Sequence, residues 1–206
     1  MATLDTPQAE PHGRREAHKA ATRKALQEAA HRLFEERGYA QTTVRDIAAA
    51  AGVTERTFFR YFPSKEDLVL DEVLDLIPVM RAQVLARPAD EDPYASVLGA
   101  CLELITDGAP SLLLSGPPQR FPGRPVRQFL PVLSQFEDGL TEALRERLAE
   151  HDPEAATPLR AAVLARASVG AMRSALFAYA ALPEEERTTP TAHELLTSAF
   201  EYLRKP

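Results

Sequence analysis

The stretch DIAAAAGVTERTFFRYFPSKEDL, Asp46 to Leu68, decides how the chain is read. It sets Gly52 between two short helical patterns and then places Phe58, Phe59, Tyr61 and Phe62 within five residues. Thr42 and Thr43 stand where an N-cap belongs ahead of VRDIAAAAG, and Thr54 caps ERTFFRYF. Gly52 suits the tight turn between them, because it alone adopts positive φ without a steric cost. With Val44 as the first position of a helix-turn-helix, Ile47, Ala48, Ala51, Val53, Phe58 and Tyr61 face inward. Ala48 is small where the two helices cross, and a larger side chain there would separate them. The second helix then becomes a probe. Its outward residues Glu55, Arg56, Thr57 and Arg60 have the chemistry to reach base edges in a major groove, and each arginine can donate two hydrogen bonds to a guanine. Thr43, Thr54, Tyr61 and Lys65 suit phosphates. Tyr61 is open between packing and a phosphate contact, and Phe58, Phe59 and Phe62 are read as space-filling first.

Working outward, the charge is uneven. The 206 residues carry a net charge of -6, which argues against a nucleic-acid binder as a whole. Yet residues 12–66 hold eleven Lys/Arg against seven Asp/Glu, while residues 67–206 hold thirteen against twenty-one. A basic N-terminal quarter on an acidic remainder implies that one part meets a polyanion and the other does something else. Arg14, Arg15, Lys19, Arg23 and Lys24 either extend that footprint along the duplex or form a solvated arm. No apolar run reaches the roughly 18 residues of a membrane span. The N-terminus has no apolar signal segment, and the single cysteine, Cys101, forms no internal disulfide. A cytoplasmic location without membrane contact is expected.

The remaining periodicities are helical. REAHKAATRKALQEAAHRLFEERGY is a helix stopped by Gly38, and Lys65 to Ala86 is another with Pro78 inside it. Tyr94 to Ile105, about Val126 to Glu150, Pro158 to Leu182 and Thr191 to Leu203 follow. Six prolines between Pro110 and Pro131 limit that segment to short turns. No strand alternation appears, so the fold is all-α: a flexible tail over residues 1–15, a three-helix helix-turn-helix domain over 16–63, and a larger helical ligand-binding and dimerisation domain over 64–206.

LFEERGYAQTTVRDIAAAAGVTERTFFRYFPSKEDLVL resembles the N-terminal DNA-binding domain of TetR-family transcriptional regulators, over residues from about 18 to 70. Its A-G-V turn and Y-F-P-S-K-E junction carry the likeness. The resemblance implies a homodimeric helical regulator, usually a repressor, released from a palindromic operator when its C-terminal domain binds a small hydrophobic or amphipathic molecule. It implies phosphate contacts by Thr43, Thr54, Tyr61 and Lys65, and base contacts by Arg45, Glu55, Arg56 and Thr57, with Arg60 a further candidate. Phe59 departs from the tyrosine many relatives carry. Glu55 is acidic near the backbone, a repulsion offset if it accepts from a cytosine amino group. The phrase TFFRYFPSKEDLVL is also similar to a subset whose C-terminal domain resembles an acyl-CoA-binding one, which would place Arg120, Arg124 and Arg127 at phosphates.

In the acidic remainder, Leu164, Ser168, Ala171, Ala175 and Ala178 form a stripe of mostly small residues, and Leu196, Ala199, Phe200 and Leu203 a second. Paired across two subunits they would make a four-helix interface; the alternative is an intramolecular core. Val97, Cys101, Leu104, Phe129, Leu133, Phe136, Met172 and Phe177 suit an apolar effector pocket, or plain packing. No HExxH, CxxC, P-loop or G-x-S-x-G occurs, and the five histidines show no ligand spacing, so neither an enzyme nor a metal or cofactor site is expected. An all-α enzyme and a constitutive architectural DNA-binding protein are the competing classes.

Overall fold

A computed structural model describes residues 11–106, 130–154 and 156–204. Among these the chain is helical, and it divides into two compact units at Lys65/Glu66.

The first unit holds α1 (Pro11–Arg37), α2 (Val44–Ala50) and α3 (Glu55–Tyr61). α1 begins inside the segment read as a tail, with Pro11 in its first turn, where the missing N–H costs nothing. Its end follows an αL pattern: Gly38, at φ 80°, donates its N–H to the Phe34 carbonyl at 2.9 Å. Leu26, Ala29, Ala30 and Phe34 turn one face of α1 into the core, where Ile47, Ala48, Phe58 and Phe62 are also buried, with α1 packed on α2 and α2 on α3. Seven-residue helices such as α2 and α3 are too short to stand alone, so this packing and the caps sustain them.

The second unit begins in α4 (Lys65–Ala86) and continues with α5 (Pro93–Thr106), α6 (Leu130–His151), α7 (Pro158–Ala181), a 3₁₀ turn at Glu184–Glu186 and α8 (Thr189–Arg204). Val84, Val97, Ala100, Leu140, Ala143, Leu144, Ala161 and Ala165 are fully buried at its centre. Polar clamps close the α4 end. The buried Arg147 donates to the carbonyls of Arg87 at 2.7 Å, Glu91 at 3.1 Å, Val84 and Pro88, satisfying a helix C-terminus and the loop behind it. Arg87 in turn forks onto Glu91, at 2.6 and 2.7 Å, and reaches Glu103 at 3.1 Å.

Two stripes are largely covered within one chain. Ser168, Ala171 and Ala175 are buried within the chain, as are Leu196 and Phe200, and Leu164, Ala199 and Leu203 pack against the same core. The small residues let α7 approach its own neighbours, which is the intramolecular alternative; only Ala178 of the set is exposed. The exposed apolar residues of α7 are instead Leu159 at 74% and Val163 at 54%, with Tyr202 at 74% on α8. By length and composition α7 is also apolar enough to cross a membrane, against the expectation that no segment would be. A third of its apolar stretch is buried within the chain, and Ala161, Ala165, Val169, Ala171 and Ala175 of the helix belong to the core.

Candidate nucleic-acid interface

The turn between α2 and α3 is a Schellman motif. Gly52, at φ 70°, donates to Ala49 at 3.1 Å, and Val53 donates to Ala48 at 2.9 Å. Ile47, Ala48 and Phe58 are buried to within 1%, which seats α3 on α2 as the inward set requires. Ala51, Val53 and Tyr61 are half-buried.

Each short helix is closed by a threonine. Thr43 caps α2 in a reciprocal box: its hydroxyl accepts from the Asp46 N–H at 3.2 Å and donates to the Asp46 carboxylate at 2.6 Å, which also accepts from the Thr43 N–H at 2.9 Å. Those hydrogen bonds from Thr43, with the Arg37 guanidinium at 3.1 Å, hold the Asp46 carboxyl below the usual carboxylate range. Thr42 is not the cap. It is buried, and its hydroxyl lies 2.9 Å from the Gly38 carbonyl and 3.2 Å from that of Leu33, tying the loop to α1. Thr54 caps α3, accepting from the Thr57 N–H at 3.2 Å, and the two hydroxyls lie 3.1 Å apart. Thr57 is thus half-buried and turned toward the cap.

Arg45, Glu55, Arg56 and Arg60 are exposed. Arg56 and Arg45 form no ion pair or hydrogen bond with another described residue, so both guanidinium forks are uncommitted. Arg60 lies over the Tyr61 ring at 5.2 Å. Lys65 has a use that sequence reading missed. Its ammonium donates to the carbonyls of Tyr39 at 2.7 Å and Thr42 at 2.8 Å and sits 3.9 Å over the Tyr39 ring. It therefore fastens the start of α4 to the α1–α2 loop. Phe59 is 51% exposed beside the edge of Phe58, so it is not the core residue its neighbours Phe58 and Phe62 are.

In the second unit, Val97, Cys101, Leu104 and Phe136 lie in the buried core, with Leu133 and Met172 packed against it. Phe177 is half-buried under the Arg173 guanidinium at 5.9 Å. Burial pushes the Cys101 thiol up to about 12, so it stays protonated and unreactive. A cavity of about 20 Å³, room for little more than one water, is lined by Ile105, Ala175, Leu176, Tyr179, Ala192 and Leu196. Phe129, Arg120, Arg124 and Arg127 and the proline-rich turns lie outside the described residues.

An exposed, arginine-bearing helix set across a capped partner by a glycine turn, in a chain that continues into a separate helical unit, is the arrangement of a helix-turn-helix DNA reader. Residues 26–71 match the family described as bacterial regulatory proteins, tetR family. The HTH-type transcriptional regulator TcmR of Streptomyces glaucescens is 34% identical over 136 residues, 61% of this chain and 60% of TcmR. The HTH-type transcriptional regulator TtgR of Pseudomonas putida is 31% identical over 126 residues, 61% of this chain and 57% of TtgR. The chain thus spans under two thirds of the length of either. Thermus thermophilus FadR, a TetR-family repressor solved in complex with lauroyl-CoA, shares the fold at a TM-score of 0.62 and 24% identity, over 89% of this chain and 93% of that one. The likeness to the tetR family of bacterial regulatory proteins thus rests on residues 26–71, with the regulators TcmR and TtgR matched over 61% of the chain.

Proposed function

We propose that the chain is a ligand-responsive transcriptional regulator, a homodimeric cytoplasmic repressor that leaves a palindromic operator when its second unit takes up a small hydrophobic or amphipathic molecule. The observation that carries this is the α3 surface: Arg56 and Arg60 exposed on a helix whose opposite face is locked by Phe58. Arg45, Glu55, Arg56 and Thr57 read bases in this proposal, Arg60 assists, and Thr43, Thr54 and Tyr61 hold phosphates. Lys65 holds a phosphate in this proposal as well as fastening the loop.

The dimer contact moves to the exposed face of α7, where Leu159 and Val163 run toward Arg166 and Arg173, since the small-residue stripe is occupied within one chain. An acyl-CoA is the first effector to try, because the FadR neighbour was solved with lauroyl-CoA; Arg120, Arg124 and Arg127 would meet its phosphates.

Gel-shift titration on a duplex selected from random sequence tests the reading. Wild type binds the selected duplex over a scrambled one, and Arg56→Ala loses about 1–3 kcal/mol on the selected duplex alone. Equal losses on both would remove Arg56 from base reading. Lauroyl-CoA and a panel of apolar metabolites are then titrated into the complex. Binding unmoved by every member would favour the constitutive architectural reading.

A further inference from the structure

α1 is 27 residues long, and its first turns precede the family-matched region, which begins at residue 26. Those turns do not simply project into solvent. Arg15, Glu16, His18 and Lys19 line an open cleft of about 280 Å³ whose other wall is Arg60 and Tyr61, from the last turn of α3. Arg15 and Lys19 are one turn apart on α1, both exposed, and neither forms an ion pair with another described residue. Glu16 is the only carboxylate among the six lining residues. The cleft is therefore a cationic slot with an aromatic side, walled on one side by the helix that carries the base-reading set.

The length of α3 fixes what can enter it. Seven residues at about 1.5 Å each span about 10 Å, close to the roughly 12 Å width of the major groove. With Glu55 and Arg56 at base edges, the last turn with Arg60 and Tyr61 stands at the groove wall, where the sugar-phosphate backbone runs. The cleft lies across that turn from the base-reading end, so the group presented to it is a phosphodiester. Guanidinium and ammonium groups without carboxylate partners carry no neutralising charge to displace before such a group binds.

We propose that the cleft between the first turns of α1 and the last turn of α3 is a second, sequence-independent DNA site, holding a backbone phosphodiester just outside the half-site that α3 reads. Arg15 and Lys19 are its ligands from α1, and the last turn of α3 forms the opposite wall. The proposal rests on the regulator reading above and adds to it the residues that set how far along the duplex the protein grips. Its consequence is a footprint longer than the half-site and a steeper salt dependence than the helix-turn-helix contacts alone supply.

The test uses the full chain with Arg15→Ala/Lys19→Ala and a charge-keeping Arg15→Lys control. Both positions are exposed and helical, and alanine favours helix, so the melting midpoint should not move. Affinity is measured between about 50 and 200 mM salt on the selected operator carrying flanks and on the same operator trimmed to its half-sites. On the flanked duplex the double variant should lose about two units of log-log salt slope per bound protomer, with Arg15→Lys keeping the wild-type slope. On the trimmed duplex variant and wild type should bind alike, and the operator-to-scrambled ratio should be unchanged on both. An unchanged slope on the flanked duplex overturns the proposal. So does an equal loss on the trimmed duplex, which would put the contact inside the half-site, or a loss of operator preference, which would make the cleft a base reader. Arg56→Ala reports on the regulator reading separately, through the operator preference that the double variant leaves intact.

Discussion

The two units hold themselves together in opposite ways. In the first, nearly every turn is closed by a polar side chain with a specific partner: Thr42 on α1 carbonyls, Thr43 with Asp46, Thr54 with Thr57, Lys65 on the α1–α2 loop. In the second, α4, α6 and α7 run 22, 22 and 24 residues and bury broad apolar faces. Short helices cannot specify their own position, so the reader needs addressed contacts; long helices position themselves by area. A reader built this way keeps fixed coordinates for Arg45 and Arg56. A core built by area tolerates exchange of one apolar side chain for another.

The sharpest way to break that contrast is at the polar exceptions inside the second unit. Arg147 is 3% exposed and serves four carbonyls at the end of α4. Arg147→Met keeps much of the apolar stem and strands those carbonyls, so it should cost about 3–5 kcal/mol in urea unfolding. A loss under about 1 kcal/mol would mean that water replaces the guanidinium and that area alone holds this unit.

Glu72 is the opposite exception. It is buried on α4 with no hydrogen-bond partner for either carboxylate oxygen, and burial, with Asp75 and Asp71 adding repulsion, pushes it from 4.5 to about 8. Between those values the folded chain holds a proton that the unfolded chain has released, so stability falls as pH rises through the window and levels above about 8. Glu72→Gln removes the titration. The variant should match wild type below the unfolded value of 4.5 and exceed it by a few kcal/mol, as an order of magnitude, above pH 8. Parallel unfolding curves with no pH-dependent gap would show that Glu72 reaches water in solution.

What could be read in the sequence follows the same division. The α2-turn-α3 unit was legible because Thr43, Ala48, Gly52 and Thr54 each act within a few residues of their partners. Lys65 was read only as a phosphate ligand because its carbonyl partners lie 26 and 23 residues away. The stripe at Ser168, Ala171 and Ala175 was located as a face, but periodicity does not say whether that face meets the same chain or another. Phe59 followed its aromatic neighbours in the reading, yet helical geometry turns it outward from Phe58. Val97, Cys101, Leu104 and Phe136 were legible as apolar interior and no further, since a pocket wall and a packed core use the same residues.

Two glycines put the contrast to its mildest test. At Gly52 a β-carbon would meet nothing within 4 Å, so space is not what the turn requires; the φ of 70° is. Gly52→Ala should cost about 1–2 kcal/mol through the left-handed backbone alone, and Gly52→Asn should cost less, because asparagine visits that region more readily. At Gly139 in α6 the reverse holds: a β-carbon there would press on the Ile77 side chain of α4, and the backbone is ordinary helix. Gly139→Ala gains helix propensity while displacing Ile77, for a net loss of about 1 kcal/mol, and Gly139→Asn should be worse because it is larger. Urea midpoints of the four variants decide it. Asparagine milder than alanine at 52 and harsher at 139 is the expected pattern. The same order at both positions would mean that conformation and space are not separately at stake in the two units.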